Sequence, residues 1–405
     1  MSYAVGPMSV DWEERIDLGR LRALRVEAVQ RRLDEAGIDA LLVWKNENVR
    51  YLTSLRAQLI AGKDSSLNGA LLTRQHPPVL FCSGGELDKA RAGMPWLTTI
   101  VPVPIMEQTE LIRAFVTKTL PSMLHDLGVR SGRLGIDHAS FALIDGIRRE
   151  LPAFELVDGD AVMLAARARK FDQEIQLIEE ACAIADAVTH RALTEVREGR
   201  RECEIAGDAM QTLYYLGGEL SHVITPFVAS GEHMAPPHRI TTDKLVRNGD
   251  VCFIDIGAMW NGYFGDIGRT TVVGKPKPEQ RRVYTAVYEG LMAGIACMRP
   301  GNTTGDVAAA IKAAVSKHGF EDRLLSLFLG HGIGIGANEP PYIGETLPGA
   351  TDTVLEPNMV FAIEPLVWIP GVPGGAGVRI EDMVQVTATG PRVLSRVEYD
   401  ETLLA

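Results

Sequence analysis

The sequence predicts two domains of different class, an α/β domain over residues 1–160 and an α+β domain with a curved antiparallel sheet over residues 161–405. Three observations predict this. Strand and helix patterns alternate as far as about residue 160, and a long helical run then opens at Phe171 and stops at Gly199. Beyond it the strands are joined largely by hairpins, with helices set to one side. At 405 residues the chain is long enough to give each domain its own core.

In the first domain Leu18, Leu21, Leu24, Val29 and Leu33 form an apolar stripe that predicts a helix over 12–36, stopped by Gly37. Strands are expected at 39–44, 69–73, 78–82, 134–137 and 154–157, and a helix over 107–127. No dense cluster of histidines and acids occurs in this half, so the main chemistry is expected in the second. There Ile175, Ile178, Cys182, Ala185, Val188, Ala192 and Val196 keep helical spacing over 171–198. Further helices are expected at 202–216, 279–297 and 304–318. Strands are expected at 223–229, 251–256, 263–273, 326–330, 359–364 and 378–386.

Apolar residues make up 46% of the chain and charged residues 23%, the balance of an ordinary soluble protein. A net charge of −11 disfavours nucleic acid or an anionic membrane as the main partner. The N-terminal stretch MSYAVGPMSVDWEER has neither the basic start nor the apolar centre of a signal peptide, so a cytoplasmic location is expected. The 5 cysteines are scattered and never spaced as CxxC, which predicts free thiols and not a disulfide frame or a zinc site.

The chemistry gathers around residues 251–269, VCFIDIGAMWNGYFGDIGR. Asp255 lies in an apolar strand, where a carboxylate is costly unless something positive meets it. Asn261-Gly262 is a hairpin signal that brings Asp255 and Asp266 side by side. Two such acids need a shared proton or a cation. His331 in GHGIGIG, Glu364 in MVFAIEP and Glu381 in GVRIEDM complete the set, with Arg379, Glu381 and Met383 on one strand face. Two Asp, two Glu and one His suit a pair of hard or borderline divalent ions such as Mn²⁺, Fe²⁺ or Co²⁺. Two ions about 3.5 to 4 Å apart can share a water and stabilise the oxyanion formed on a carbonyl.

The order Asp255, Asp266, His331, Glu364, Glu381, set in DIGAMWNGYFGDIGRT, GHGIG, FAIEP and VRIED, closely resembles the pita-bread metalloenzymes: methionine aminopeptidase, aminopeptidase P, prolidase and creatinase. The resemblance covers roughly residues 171–390. NENVRYLTS is the weaker marker of a creatinase/prolidase-like N-terminal domain, which sets the chain nearer to aminopeptidase P, prolidase and creatinase. It implies two divalent metal ions, Mn²⁺ foremost and Fe²⁺, Co²⁺ or Zn²⁺ as alternatives, held by the five residues, with Asp255 and Glu381 touching both. It also implies Glu364 as acid/base group, His238 in SGEHMAPPH against the substrate, Arg379 beside the last ligand, and a homodimer.

Two departures bear on the substrate. Family peptidases usually read HGxGxxxHExP, whereas Asn338 stands here at the second histidine. Asn donates a hydrogen bond but shuttles no proton. Between Gly332 and Val378 there is no Lys, Arg or His to clamp a terminal carboxylate, while Tyr342, Trp260 and Trp368 could face the mouth. The resemblance therefore implies a hydrolase of the Xaa-Pro aminopeptidase or dipeptidase kind. The alternative is the same fold and metals acting on a small cationic metabolite, as creatinase-like or ectoine-type C–N hydrolases and dimethylsulfoniopropionate-type lyases do. A metal-free binding protein is disfavoured because all five candidate ligands are intact.

Overall fold

Asp17 caps the first helix, α1 (Leu18–Ala36), by accepting a hydrogen bond from Arg20 N at 2.9 Å, and Gly37 ends it at φ +64°. The helix expected from residue 12 therefore begins at Leu18, because the capping residue has already left helical backbone geometry. The computed structural model describes residues 16–57, 66–219, 226–238, 240–345 and 352–404. Residues 12–15 of that expected helix and 223–225 of an expected strand lie outside the described residues. The chain divides into two compact units, Asp17–Arg167 and one that holds Ala168–Ala405.

The first unit continues with β1 (Ala40–Val43), α2 (Asn46–Thr53), β2 (Gly69–Thr73), β3 (Val79–Cys82), α3 (Gly84–Gly93) and β4 (Ile100–Pro102). The helix expected over 107–127 is α4 (Thr109–Ala114) and α5 (Leu120–Asp126), joined by a π-turn at Phe115–Thr119. Then come β5 (Gly132–Ile136), α6 (Phe141–Glu150), β6 (Phe154–Asp158) and α7 (Asp160–Ala168). The strands form one sheet in the order β4-β3-β2-β1-β5-β6, parallel across β1, β5 and β6 and antiparallel across β1, β2 and β3. Its core is aromatic: Trp44 stacks on Phe81 at 6.3 Å, and Phe115 meets both edge-on. Helices α2, α3, α6 and α7 were not legible, since each is about ten residues or fewer and α3 opens on two poor helix formers, Gly84 and Gly85.

The second unit opens with α8 (Asp172–Glu195) and α9 (Glu202–Tyr215), followed by β7 (Phe227–Ser230), β8 (Val251–Trp260) and β9 (Tyr263–Val272). Helices α10 (Pro278–Cys297) and α11 (Thr304–Ser316) pack on each other, with Gly290 and Gly294 letting them close: a Cβ at Gly294 would lie 2.7 Å from Ile311. Strands β10 (Gly330–Gly332), β11 (Glu339–Ile343), β12 (Val360–Ile363), β13 (Leu366–Trp368), β14 (Gly377–Arg379), β15 (Asp382–Thr387) and β16 (Gly390–Val393) complete it, with α12 (Glu401–Leu404) last. The antiparallel sheet is built as three ladders, β7-β8-β9, β11-β10-β12-β15-β16 and β13-β14.

Two strand expectations are corrected. The strand placed at 326–330 begins only at Gly330, because Leu325 and Glu345 bond out of register to Leu366 and Ser326. The strand placed at 378–386 breaks at Ile380 and Glu381, where the chain leaves β13 for β12. Arg379 and Glu381 thus belong to no common strand. At the break Glu381 N donates to Gly268 O at 2.9 Å, so β9 takes up the backbone group that the ladder gave up.

All five cysteines are free, with Cys82, Cys182 and Cys252 buried. Among the described residues no helix is long and apolar enough to cross a membrane.

Candidate metal centre

The site is built on one hairpin. Strands β8 and β9 turn through Asn261 and Gly262 at φ +48° and +83°, the left-handed pair that a two-residue loop needs. The register sets Asp255 opposite Gly268 and Asp266 opposite Gly257. The two acids are therefore diagonal neighbours on one face, not direct partners. A Cβ at Gly268 would lie 3.0 Å from both Cβ and Oε2 of Glu381. The missing side chain opposite Asp255 leaves the room that Glu381 occupies.

Each remaining residue is fixed by its own backbone context. In β10, His331 Nδ1 faces Gly332 O at 3.0 Å and so carries the proton. Its Nε2 is turned to the acids, 3.3 Å from Glu364 Oε1 and 3.7 Å from Asp266 Oδ2. A Cβ at Gly330 would lie 2.5 Å from Ala362 O, and one at Gly332 would lie 2.8 Å from Glu339 O. The glycines flanking His331 thus let three strands close around it. Glu364 follows β12 directly, its amide bonded to Leu329 O at 2.9 Å. Glu381 is held from below by Arg269, whose guanidinium donates to Glu381 O at 2.6 Å and to Asp382 Oδ1 at 2.8 Å.

Potential ligand atoms of Asp266, His331 and Glu381 all lie within 4.8 Å of one another. Arg379 Nη1 lies 2.7 Å from Glu364 Oε2 and 3.4 Å from Asp255 Oδ2, with its guanidinium 5.8 Å from the Phe253 ring. All six side chains are buried. Burial alone would lower the pKa of Arg379, but Glu364 and Asp255 outweigh it and hold the guanidinium charged. Burial first, and then Asp255 and Glu364, push Asp266 well above the usual carboxylate range. Burial, Asp266 and Glu364 do the same to Glu381. Asp255 Oδ1 and Glu381 Oε2 are buried without a hydrogen-bond donor. An orphaned buried carboxylate oxygen is costly, and a divalent cation is the partner that this oxygen-rich donor set fits.

His238 and Asn338 are exposed, and neither bonds to this cluster among the described residues. Sequence reasoning missed the buried ion pair of Lys170 and Glu339, 3.4 Å apart. The glycine repeat was its signal: a Cβ at Gly334 would lie 2.9 Å from Lys170 Cε, and one at Gly336 would lie 2.5 Å from Glu339 Oε2. It also missed Met383 Sδ, which accepts from Asp266 N at 3.2 Å, and Thr270, whose hydroxyl bonds both backbone groups of Arg379.

A buried, carboxylate-lined cluster on an antiparallel hairpin fits a metal-dependent enzyme, and the comparisons give its class. The chain belongs to Metallopeptidase family M24, whose profile matches residues 176–388, and the Creatinase/Prolidase N-terminal domain matches residues 25–169. It is 30% identical to the Xaa-Pro dipeptidase of Pyrococcus horikoshii over 377 residues, 93% of this chain and 98% of that one. Among solved structures it resembles an Xaa-Pro dipeptidase from Bacillus anthracis, with TM-score 0.79 and 26% identity over 94% of this chain and 99% of the other. It also resembles the prolidase from Pyrococcus furiosus, with TM-score 0.75 and 28% identity over 91% and 99%. The second unit therefore has the pita-bread fold, and the protein is a metal-dependent hydrolase.

Proposed function

We propose that this chain hydrolyses the amide bond of an Xaa-Pro dipeptide or short peptide with two divalent ions held by Asp255, Asp266, His331, Glu364 and Glu381. The buried cluster itself supports this reading. Four carboxylates against one guanidinium leave a negative surplus that a single divalent ion does not neutralise. Mn²⁺ is the proposed ion, with Fe²⁺, Co²⁺ and Zn²⁺ as alternatives, since the set is rich in oxygen and free of thiolate. Such ions, when bound, lower the pKa of a water and stabilise charge on a carbonyl oxygen.

The side chains divide the remaining work. Glu364, between His331 and Arg379, takes and returns the proton. Arg379 sets its charge against Glu364 and Asp255. His238 contacts the substrate from its exposed loop. Asn338 donates a hydrogen bond to the substrate and transfers no proton.

One observation favours the second reading, a small cationic substrate. Tyr342 stands directly opposite His331 across β10 and β11, so the two side chains share a face. Phe328 stacks on the His331 ring at 5.7 Å and meets Tyr342 at 6.0 Å. An aromatic wall of this kind accepts an organic cation more readily than a free carboxylate.

Metal analysis followed by a substrate panel separates these readings. We expect proline release from Xaa-Pro dipeptides, and loss of bound metal in Asp255→Ala and Glu381→Ala with the circular dichroism spectrum retained. Silence on peptides, with turnover of an amidine, cyclic amide or sulfonium compound, would transfer the assignment to the second reading. Near-normal metal content in both variants would remove the site.

A further inference from the structure

Away from the acid cluster, one other histidine among the described residues is held by a buried carboxylate. Glu202, the first residue of α9, is fully buried. Its Oε1 accepts from Ser230 N at 2.8 Å, Ser230 Oγ at 2.9 Å and His233 Nδ1 at 3.1 Å. Its Oε2 accepts from Thr242 N at 3.2 Å and Thr242 Oγ1 at 2.6 Å. Since His233 Nδ1 faces only carboxylate oxygens, it carries the proton, and the ring is fixed with Nε2 outward. A histidine merely filling a gap would not need a fully buried carboxylate saturated by four other donors.

His233 in turn touches His238. Their ring centroids are 5.2 Å apart with planes tilted by 55°, and His238 N donates to His233 O at 2.5 Å. The His238 ring makes no hydrogen bond of its own among the described residues. An exposed imidazole without such a bond samples several rotamers unless a neighbour restricts it. The loop that carries both rings is anchored to the metal-site strands. Met234 packs with Ala229 and Phe253, the ring that lies beside Arg379. Gly377 approaches Met234 O so closely that any Cβ there would collide.

We infer that His233, locked by Glu202, is a positioning residue that sets the orientation of the His238 imidazole. This rests on the reading above that His238 contacts the substrate. Orientation runs outward from the core: Glu202 fixes the tautomer and tilt of His233, and the His233 ring and carbonyl fix His238. A positioned group loses far more rate than binding when its support is removed.

The test uses full-length protein labelled with ¹⁵N-histidine, without substrate, so it holds even if no Xaa-Pro peptide is cleaved. In the wild type we expect His233 as the Nδ1-protonated tautomer and a single, narrow set of His238 ring resonances. Glu202→Gln should mix the His233 tautomers, and His233→Ala should shift or broaden the His238 resonances while leaving metal content and the His331 signals unchanged. If Glu202→Gln fails to fold, His233→Ala, at a half-exposed position, carries the test alone. On a cleaved substrate, His233→Ala should lower kcat about tenfold or more with KM changed less than threefold, the split expected of lost orientation. His238 resonances unmoved by His233→Ala would overturn the inference whatever the activity.

Discussion

At the residue scale, the decisive fact is that the chain buries four carboxyl groups together beside one guanidinium. Arg379 pairs with Glu364 and Asp255, and Asp255 Oδ1 and Glu381 Oε2 lack a hydrogen-bond donor. This predicts a pH dependence with a definite sign. In the ion-free protein the folded-state pKa values of Asp266 and Glu381 lie above their unfolded values, with burial the first cause for both. Their protonation thus stabilises the ion-free fold below the unfolded carboxylate pKa, and that contribution disappears as pH rises through the raised range. Ions bind the ionised forms, so affinity should rise with pH across the same window and uptake should release protons. Calorimetric titration in two buffers of different ionisation enthalpy measures that release; none above the ordinary carboxylate range would mean the cluster is already ionised.

At the element scale, the hairpin β8-β9 is held in place from outside by α8. Tyr263 Oη donates to Glu174 at 2.6 Å, and the bare Gly265 lies against the helix backbone, where a Cβ would come within 2.6 Å of Ala181 O. Backbone on both sides cannot yield as a flexible side chain would. Gly265→Ala should therefore destabilise the second unit by about 1–3 kcal/mol, read as a lower denaturant midpoint at unchanged slope. A midpoint equal to wild type would show that α8 is free to shift. The hairpin was legible in sequence because Asn261-Gly262 and the two apolar runs agree on one turn. The break at Ile380 and Glu381 was not, because alternation alone shows no ladder ending, and what ends it is the capture of the Glu381 amide by Gly268, over a hundred positions away in the chain.

At the scale of the whole molecule, we propose the homodimer that the family resemblance implies, and expect a species near twice 44.1 kDa in sedimentation. A monomer at micromolar concentration would set the chain apart from that expectation. The sequence by itself pointed to the two fold classes and to the candidate set Asp255, Asp266, His331, Glu364 and Glu381, since each sits in a local pattern of strand, turn or glycine repeat, while Arg379 entered through the family resemblance. Only the tertiary structure decided that Asp255 and Asp266 are diagonal, that Gly268 makes room for Glu381, that Lys170 meets Glu339, and that Glu202 supports His233. Those relations join residues distant in sequence, through strand register and buried hydrogen bonds. No local pattern encodes a contact whose second partner is chosen by how the chain packs.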